Sequence, residues 1–211
     1  VLVDDHLSVV ESFALLLQLD SDFTVSGVAT SAEEGERLVL ETSPDIAVFD
    51  VDFPGRDSFD LIPGLMAERP QTRIVILTAH LTDAFLSQAL RMKVSGYILK
   101  SEPATSVRSA LKMIHRGQTY FSSKAQDCLI WDAEKQAYEV KMESLLKGLS
   151  LLQLAILRHL ARGESVKETA AALRLTEKSV DSHKYRIMNR LGIHDRVELC
   201  RYALREGLTL V

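Results

Sequence analysis

Along residues 1–116, short apolar runs alternate with stretches whose apolar positions recur at helical spacing. Residues 1–3 form an apolar run that stops at Asp4-Asp5, and residues 7–19 repeat Leu and Val every three to four positions. Residues 23–28 read as a second strand, and Ser31 with Glu34 makes a capping box ahead of a helix reaching about Thr42. Residues 46–49 are a continuous apolar strand running straight into Asp50. Residues 58–68 read as a helix, which requires Pro63 to sit in its first turn. A strand over 73–77, a helix over 82–92, a strand over 96–99 and a helix over 104–116, stopped by Gly117, complete the series. This strict alternation predicts an α/β unit with a five-stranded parallel doubly wound sheet, right-handed crossovers and helices on both faces.

The pattern then changes twice. Residues 118–148 have no clean apolar face and read as a linker, partly helical over 126–147. From residue 149 only helical spacing remains, so an all-α domain is expected over 149–211, behind an α/β domain over 1–117. Ser150 with Gln153 and Ser165 with Glu168 are two capping boxes, Thr176 caps a third helix ended by Gly192, and a fourth runs from about Asp195 to Glu206. The tight Arg174-Leu175 connection between the second and third of these fits a helix-turn-helix.

Charge separates the same two parts. The net charge of −4 divides into −8 over residues 1–148 and +4 over residues 149–211, so only the tail is suited to a polyanion. No apolar stretch approaches the roughly 20 residues of a membrane span, and no signal peptide is visible. Cys128 and Cys200, far apart, read as reduced cytosolic thiols rather than a disulfide or zinc framework. The chain opens at Val1 inside a strand, which leads to the expectation that a few residues precede it.

In a parallel sheet of this kind ligands bind beyond the carboxyl ends of the strands, and polar residues fall at those ends. Asp4 and Asp5 follow the first strand, Asp50 and Asp52 the third, Thr78 the fourth and Lys100 the fifth. Carboxylates brought this close repel unless a cation neutralises them, and an open oxygen site suits Mg2+. An aspartate beside such an ion can attack a phosphoryl group, with Lys100 and the Thr78 hydroxyl placed to meet its oxygens.

The runs VLVDDH, FDVDFPG, VILTA and GYILK, in this order over residues 1–117, resemble the receiver domain of response regulators, a flavodoxin/CheY-like fold. That resemblance implies Asp50 as phosphoacceptor, Asp5 as the main magnesium carboxylate with Asp4 in support, and the Asp52 backbone carbonyl as a further ligand. It also implies Lys100 as the phosphate-pairing lysine and Thr78 with Tyr97 as a switch pair. Phe53 stands where the family has Met or Leu, Asp52 adds an acid at a position that is neutral in many members, and His6 belongs to one branch of the family. The D-V-D run with Thr78 and Lys100 also resembles haloacid-dehalogenase-type phosphatases. Those need a second acidic cluster after the lysine, but only Glu102 follows closely, and Asp127 and Asp132 lie in the linker.

Residues 149–206 resemble the LuxR/NarL-type DNA-binding domain through LARGESVKETAAALRLT, SVDSH, RLGI and RVEL. The resemblance places Lys178, Ser179, Ser182, Lys184 and Tyr185 against DNA. Leu152-Gln153, Thr169 and Asp181 depart from its pattern; Asp181 stands where a lysine is usual and could accept from cytosine N4 or simply cap the helix and repel DNA. Together the two resemblances imply a cytoplasmic transcription regulator phosphorylated by a sensor histidine kinase. It would bind double-stranded DNA as a homodimer, with no membrane contact and at most slow self-dephosphorylation as an activity. The fourth helix, through Leu199, Tyr202, Ala203 and Leu204, is a candidate for the dimer contact or for simple core packing. A regulator that keeps the fold without the phosphorylation switch is the other reading.

Overall fold

The computed structural model describes residues 1–51, 53, 58–134, 136–141 and 145–209, with only the backbone of 145 and 147. The chain divides into two compact units, one of residues 1–81 and 89–128, the other of residues 82–88 and 129–211.

The first unit is built on β1 (Leu2–Val3), β2 (Val28–Ala29), β3 (Ile46–Phe49), β4 (Arg73–Thr78), β5 (Gly96–Leu99) and β6 (Tyr120–Phe121). All pairings are parallel, in the order β2-β1-β3-β4-β5-β6. The sheet thus has six strands rather than five. Tyr120 and Phe121 are too few to show an alternating pattern, yet they satisfy the edge of β5, with Tyr120 N–H on the Ser95 carbonyl and Ser122 N–H on that of Tyr97. Between the strands run α1 (Leu7–Gln18), α2 (Ala32–Thr42), α3 (Ser58–Glu68), α4 (Asp83–Met92) and α5 (Ala104–His115).

Alternation along the strands decides which helix each residue meets. Val48, Val75 and Ile98 share one apolar cluster with Val10 and Leu17 of α1 and Val107 and Ile114 of α5. Val3 and Phe49 point the other way, onto Gly35 of α2. A Cβ on Gly35 would lie 2.6 Å and 2.7 Å from the two Val3 methyls and 3.1 Å from the Phe49 ring. Glycine inside a helix ordinarily costs about 1 kcal/mol relative to alanine, but overpacking a closed core costs about 1–3 kcal/mol. Val3 and Phe49 are both fully enclosed, so steric crowding wins. Gly35→Ala is therefore expected to lower the thermal unfolding midpoint by a few degrees. A variant that melts with or above the parent would refute this close approach of α2 to the sheet.

Three local expectations are corrected. Of the 23–28 stretch only Val28 is strand, continued by Ala29, because β1 offers only Leu2 and Val3 as partners. Pro63 lies in the second turn of α3, where it removes a backbone donor; the helix continues because Phe59, Leu61, Ile62 and Leu65 are all buried. Ser31 accepts from Glu34 N–H at 3.2 Å, but the Glu34 carboxylate reaches back to Thr30 N–H at 3.3 Å, one residue beyond the predicted box.

After α6 (Ser123–Asp127) the stretch expected to be partly helical over 126–147 is mainly an antiparallel hairpin, β7 (Leu129–Asp132) with β8 (Ala137–Val140). Cross-strand pairs of bulky residues favour it. Leu129 lies opposite Val140, and Trp131 opposite Tyr138 with the rings edge to face at 5.1 Å. A 3-10 turn, Leu145–Gly148, leads to four helices: α7 (Leu151–Ala161), α8 (Val166–Ala172), α9 (Glu177–Leu191) and α10 (Arg196–Arg205). Both capping boxes form, at Ser150 with Gln153 and at Ser165 with Glu168. Arg174 takes the left-handed conformation at φ 54° in the α8–α9 turn, and Gly192 ends α9 at φ 68°. Leu157 and Leu160 of α7, Val180 and Ile187 of α9, and Leu199 and Ala203 of α10 form the core of this bundle. Leu199 and Ala203 are thereby used in core packing and are not available as a dimer surface. Neither Cys128 nor Cys200 is in a disulfide, and among the described residues no helix is long and apolar enough to cross a membrane.

Candidate functional site

The order β2-β1-β3 makes the connections leave β1 and β3 in opposite directions, opening a crevice at the carboxyl end of these two neighbours. Asp4 and Asp5 follow β1 and Asp50 follows β3, so the acidic residues meet there. Asp4 and Asp50 are buried and Asp5 is half-buried. Lys100, at the end of β5, places its ammonium 2.6 Å from Asp4 Oδ2 and 2.6 Å from Asp50 Oδ2. Asp50 Oδ1 accepts from Val51 N–H at 2.7 Å, and the Ser58 hydroxyl donates to the Asp50 carbonyl. Burial lifts the Asp50 carboxyl above the usual aspartate range, even though Lys100 works in the opposite direction. Burial also disfavours the Lys100 charge, but the hydrogen bonds to Asp4 and Asp50 outweigh it and hold the ammonium protonated.

Asp4, Asp5, His6 and Asp50 each offer a ligand atom, and these atoms lie within 4.8 Å of one another. Asp5 Oδ1 is buried and accepts no hydrogen bond, a position that a cation would satisfy. Hard carboxylate oxygens in an open cleft fit Mg2+. Asp52, the other expected ligand, lies outside the described residues.

Thr78 and Tyr97 are both fully buried, and they meet at the backbone of one residue, His80, that sequence reasoning missed. The Thr78 hydroxyl accepts from His80 N–H at 3.2 Å, and the Tyr97 hydroxyl donates to the His80 carbonyl at 2.8 Å. β6 covers the outer edge of β5, so Tyr97 is an interior residue and not an edge aromatic. The second acidic cluster a phosphatase would need does not form among the described residues. Asp127 ends α6, Asp132 lies in β7, and Glu102 accepts from the Tyr120 hydroxyl.

In the helical unit, Thr176 caps α9 by accepting from Ser179 N–H at 3.2 Å, and Val180, Ile187, Met188 and Leu191 turn one face of the helix inward. Lys178, Ser182, Tyr185 and Arg186 are exposed at spacings that share the opposite face. Ser179 and Lys184 are half-buried. Lys184 is held by Asp181 at 2.5 Å and lies 4.8 Å over the Tyr185 ring, so this lysine is not a freely extended cation.

Known proteins agree with this arrangement. Residues 1–112 match the response regulator receiver domain, and residues 147–203 match the bacterial regulatory proteins of the luxR family. The oxygen regulatory protein NreC of Staphylococcus haemolyticus is 33% identical over 213 residues, covering 99% of this chain and 97% of the relative. Among solved structures, RcsB from Salmonella enterica serovar Typhimurium, bound to promoter rprA in the presence of phosphomimetic BeF3-, shares the fold at TM-score 0.71. It does so at 23% identity over 95% of each chain. A LuxR-family two-component response regulator from Aurantimonas sp. SI85-9A1 has TM-score 0.57 and 32% identity over 60% of this chain and 90% of its own. With a receiver domain at one end and a LuxR-type DNA-binding domain at the other, the chain belongs to the response regulator family of transcriptional regulators.

Proposed function

We propose that Asp50 accepts a phosphoryl group from a sensor histidine kinase and that this controls dimerisation and DNA binding through α9. The observation that carries the reading is Lys100, which bridges Asp4 and Asp50 at 2.6 Å and so joins three strand ends in one charged pocket. A carboxylate oxygen of Asp50 forms the new bond to phosphorus as the bond between phosphorus and the donor imidazole breaks. Asp5, Asp4 and Asp50 would hold Mg2+, with the Asp52 carbonyl as a further ligand. When bound, the ion neutralises charge on the phosphoryl oxygens.

On the Asp50 side, Lys100 turns from two carboxylates toward the phosphoryl oxygens. The Thr78 hydroxyl receives a bond from His80 N–H through a lone pair, which leaves its own hydrogen to donate to phosphate. A shift of Thr78 pulls on the His80 N–H, and the carbonyl on the other side of the same Cα carries that pull to the Tyr97 hydroxyl. The phosphoryl group thus acts on a connected element, and a second arrangement of that element, favoured by phosphate, is what a population shift would use. The chain is an acceptor and not a turnover enzyme, with at most slow loss of its own phosphate. It works where its double-stranded DNA lies, in the cytoplasm.

The test is a DNA-binding titration at fixed salt with and without prior incubation with acetyl phosphate and Mg2+. Phosphorylation is expected to raise affinity about fivefold or more, the range of a coupling of roughly 1–3 kcal/mol, and to raise the molecular mass in solution toward a dimer. Full phosphorylation with unchanged affinity and mass would instead make the chain a regulator independent of the switch.

A further inference from the structure

We propose that the β7–β8 hairpin is the surface on which two copies of this chain join, with β8 pairing antiparallel to β8 of a second copy about a two-fold axis at Val140. The proposal rests on the reading that the phosphorylated chain is a dimer, and it names the strand that makes the contact.

A two-stranded hairpin is marginal in water and is steadied by further strands. Here each strand pairs only with the other, so among the described residues neither outer edge has a strand partner. An open edge is a template for another chain. The hairpin also carries three large exposed side chains, Ile130 at 45%, Trp131 at 56% and Tyr138 at 54%. At its base Leu129 is half-buried and Val140 buried, so the aromatic pair stands in solvent at the far end. Helix α10 offers less for joining copies, since its Leu199 and Ala203 are enclosed in the bundle core.

Charge selects the occupant and the register. When a strand edge pairs with its own copy about a two-fold axis, one residue lies opposite itself and its neighbours exchange places symmetrically. An axis at Glu139 would set like charges directly opposite each other, which destabilises. An axis at Tyr138 would set Glu139 against Ala137 and gain nothing from the charge. An axis at Val140 sets Glu139 opposite Lys141 of the second copy, and symmetry makes that pair twice. The β7 edge has no such register, because Asp132 is its only charged residue. Alternation puts Trp131, Tyr138 and Val140 on one face of the hairpin. In the Val140 register Tyr138 lies diagonal to Val140 of the second copy, a separation of roughly 7–8 Å that an aromatic side chain spans. The result is a single antiparallel sheet in the order β7-β8-β8-β7, in which the β8 edges are used up and the exposed ring of Tyr138 gains an apolar neighbour.

The experiment is sedimentation velocity over a concentration series, on the full chain incubated with acetyl phosphate and Mg2+. The parent is compared with Glu139→Lys, with Lys141→Glu and with the double variant carrying both changes. Glu139 is half-buried and Lys141 exposed, so the variants are expected to fold. Trp131 is the only tryptophan of the chain, and its emission checks that the hairpin is formed in each. Intact mass checks that each is phosphorylated to the same extent. Either single variant sets like charges opposite each other twice and is expected to weaken the dimer about tenfold. The double variant restores opposite charges in reverse order and is expected to dimerise within about threefold of the parent. A dimeric parent with both single variants equal to it would overturn the β8 contact, leaving the dimer to another face and the hairpin edge to a partner of another kind. Weakening in the single variants that the double variant does not recover would also overturn it, since the charges would then matter only to the hairpin itself. A fully phosphorylated parent that stays monomeric would bring down the dimer reading and this contact with it.

Discussion

Incubated with acetyl phosphate and Mg2+, the parent chain is expected to gain the mass of one phosphoryl group, and Asp50→Asn is expected to gain none. Asparagine keeps the shape of the side chain and can still accept from Val51 N–H, so the fold of the pocket survives. What it lacks is the anionic oxygen that must bond to phosphorus. Lys100→Met is expected to retain Asp50 but to be phosphorylated roughly a hundredfold to a thousandfold more slowly, the usual cost of one donor lost at the reacting oxygens. Intact-mass spectrometry over time reads both. Phosphate on Asp50→Asn would mean that another group is the acceptor.

The same pocket predicts a pH dependence. Burial raises the Asp50 carboxyl above its ordinary range, and the charge of Asp4 adds to this against the pull of Lys100. Only the ionised form attacks, so phosphate acceptance is expected to fail on acidification at a higher pH than for an exposed aspartate. Stability moves the opposite way. Between the ordinary and the raised value the folded chain holds more protons than the unfolded one, so this group favours folding most at low pH and loses that contribution as pH rises through its folded value. At neutral pH, without metal, the ionised Asp50 is therefore a cost, and Asp50→Asn is expected to melt a few degrees higher than the parent. Mg2+ is expected to narrow that gap by stabilising the parent more than a variant that has lost one of the carboxylates.

The pocket was legible in the sequence because it is made by strand endings. A run such as 46–49 must be buried, and the first charged residue after it must lie at the rim of the sheet. Asp4, Asp50 and Lys100, far apart in the chain, were brought to one place by that rule. Helix starts were equally legible at Ser150, Ser165 and Thr176, where one side chain and one backbone N–H form a local bond. Two-residue strands such as β6 were not, since alternation needs more positions to show. The hairpin from Leu129 to Val140 was hidden because its stabilising pairs, Trp131 with Tyr138 among them, are close only once the strands have paired. The pairing of Thr78 with Tyr97 came from the resemblance alone, and its route could not be read from the residues: it runs through the His80 N–H and carbonyl, and a backbone contact leaves no mark on the identity of residue 80.

On α9 the ion pair between Asp181 and Lys184 leads to the second large effect. Lys178 is exposed at the start of the helix, the end that enters a major groove in helix-turn-helix proteins. Lys178→Glu is expected to weaken binding to every DNA sequence about tenfold to a hundredfold and to lower the salt slope by about one to two, as for a lost phosphate contact. Asp181→Ala should act in the other sense. It removes an anion from the DNA-facing surface and frees the Lys184 ammonium now 2.5 Å away, so non-specific affinity is expected to rise severalfold and the salt slope by about one. It also removes a carboxylate acceptor suited to cytosine N4, so selection from randomised sites is expected to lose a cytosine preference at one position. Because the pair is three residues apart on an exposed helix, its own contribution to stability is small, and the variant is expected to fold like the parent. If Asp181→Ala left both the salt slope and the selected sequence unchanged, the first two turns of α9 would not lie in the groove, and DNA contact would have to be sought on another face of the bundle.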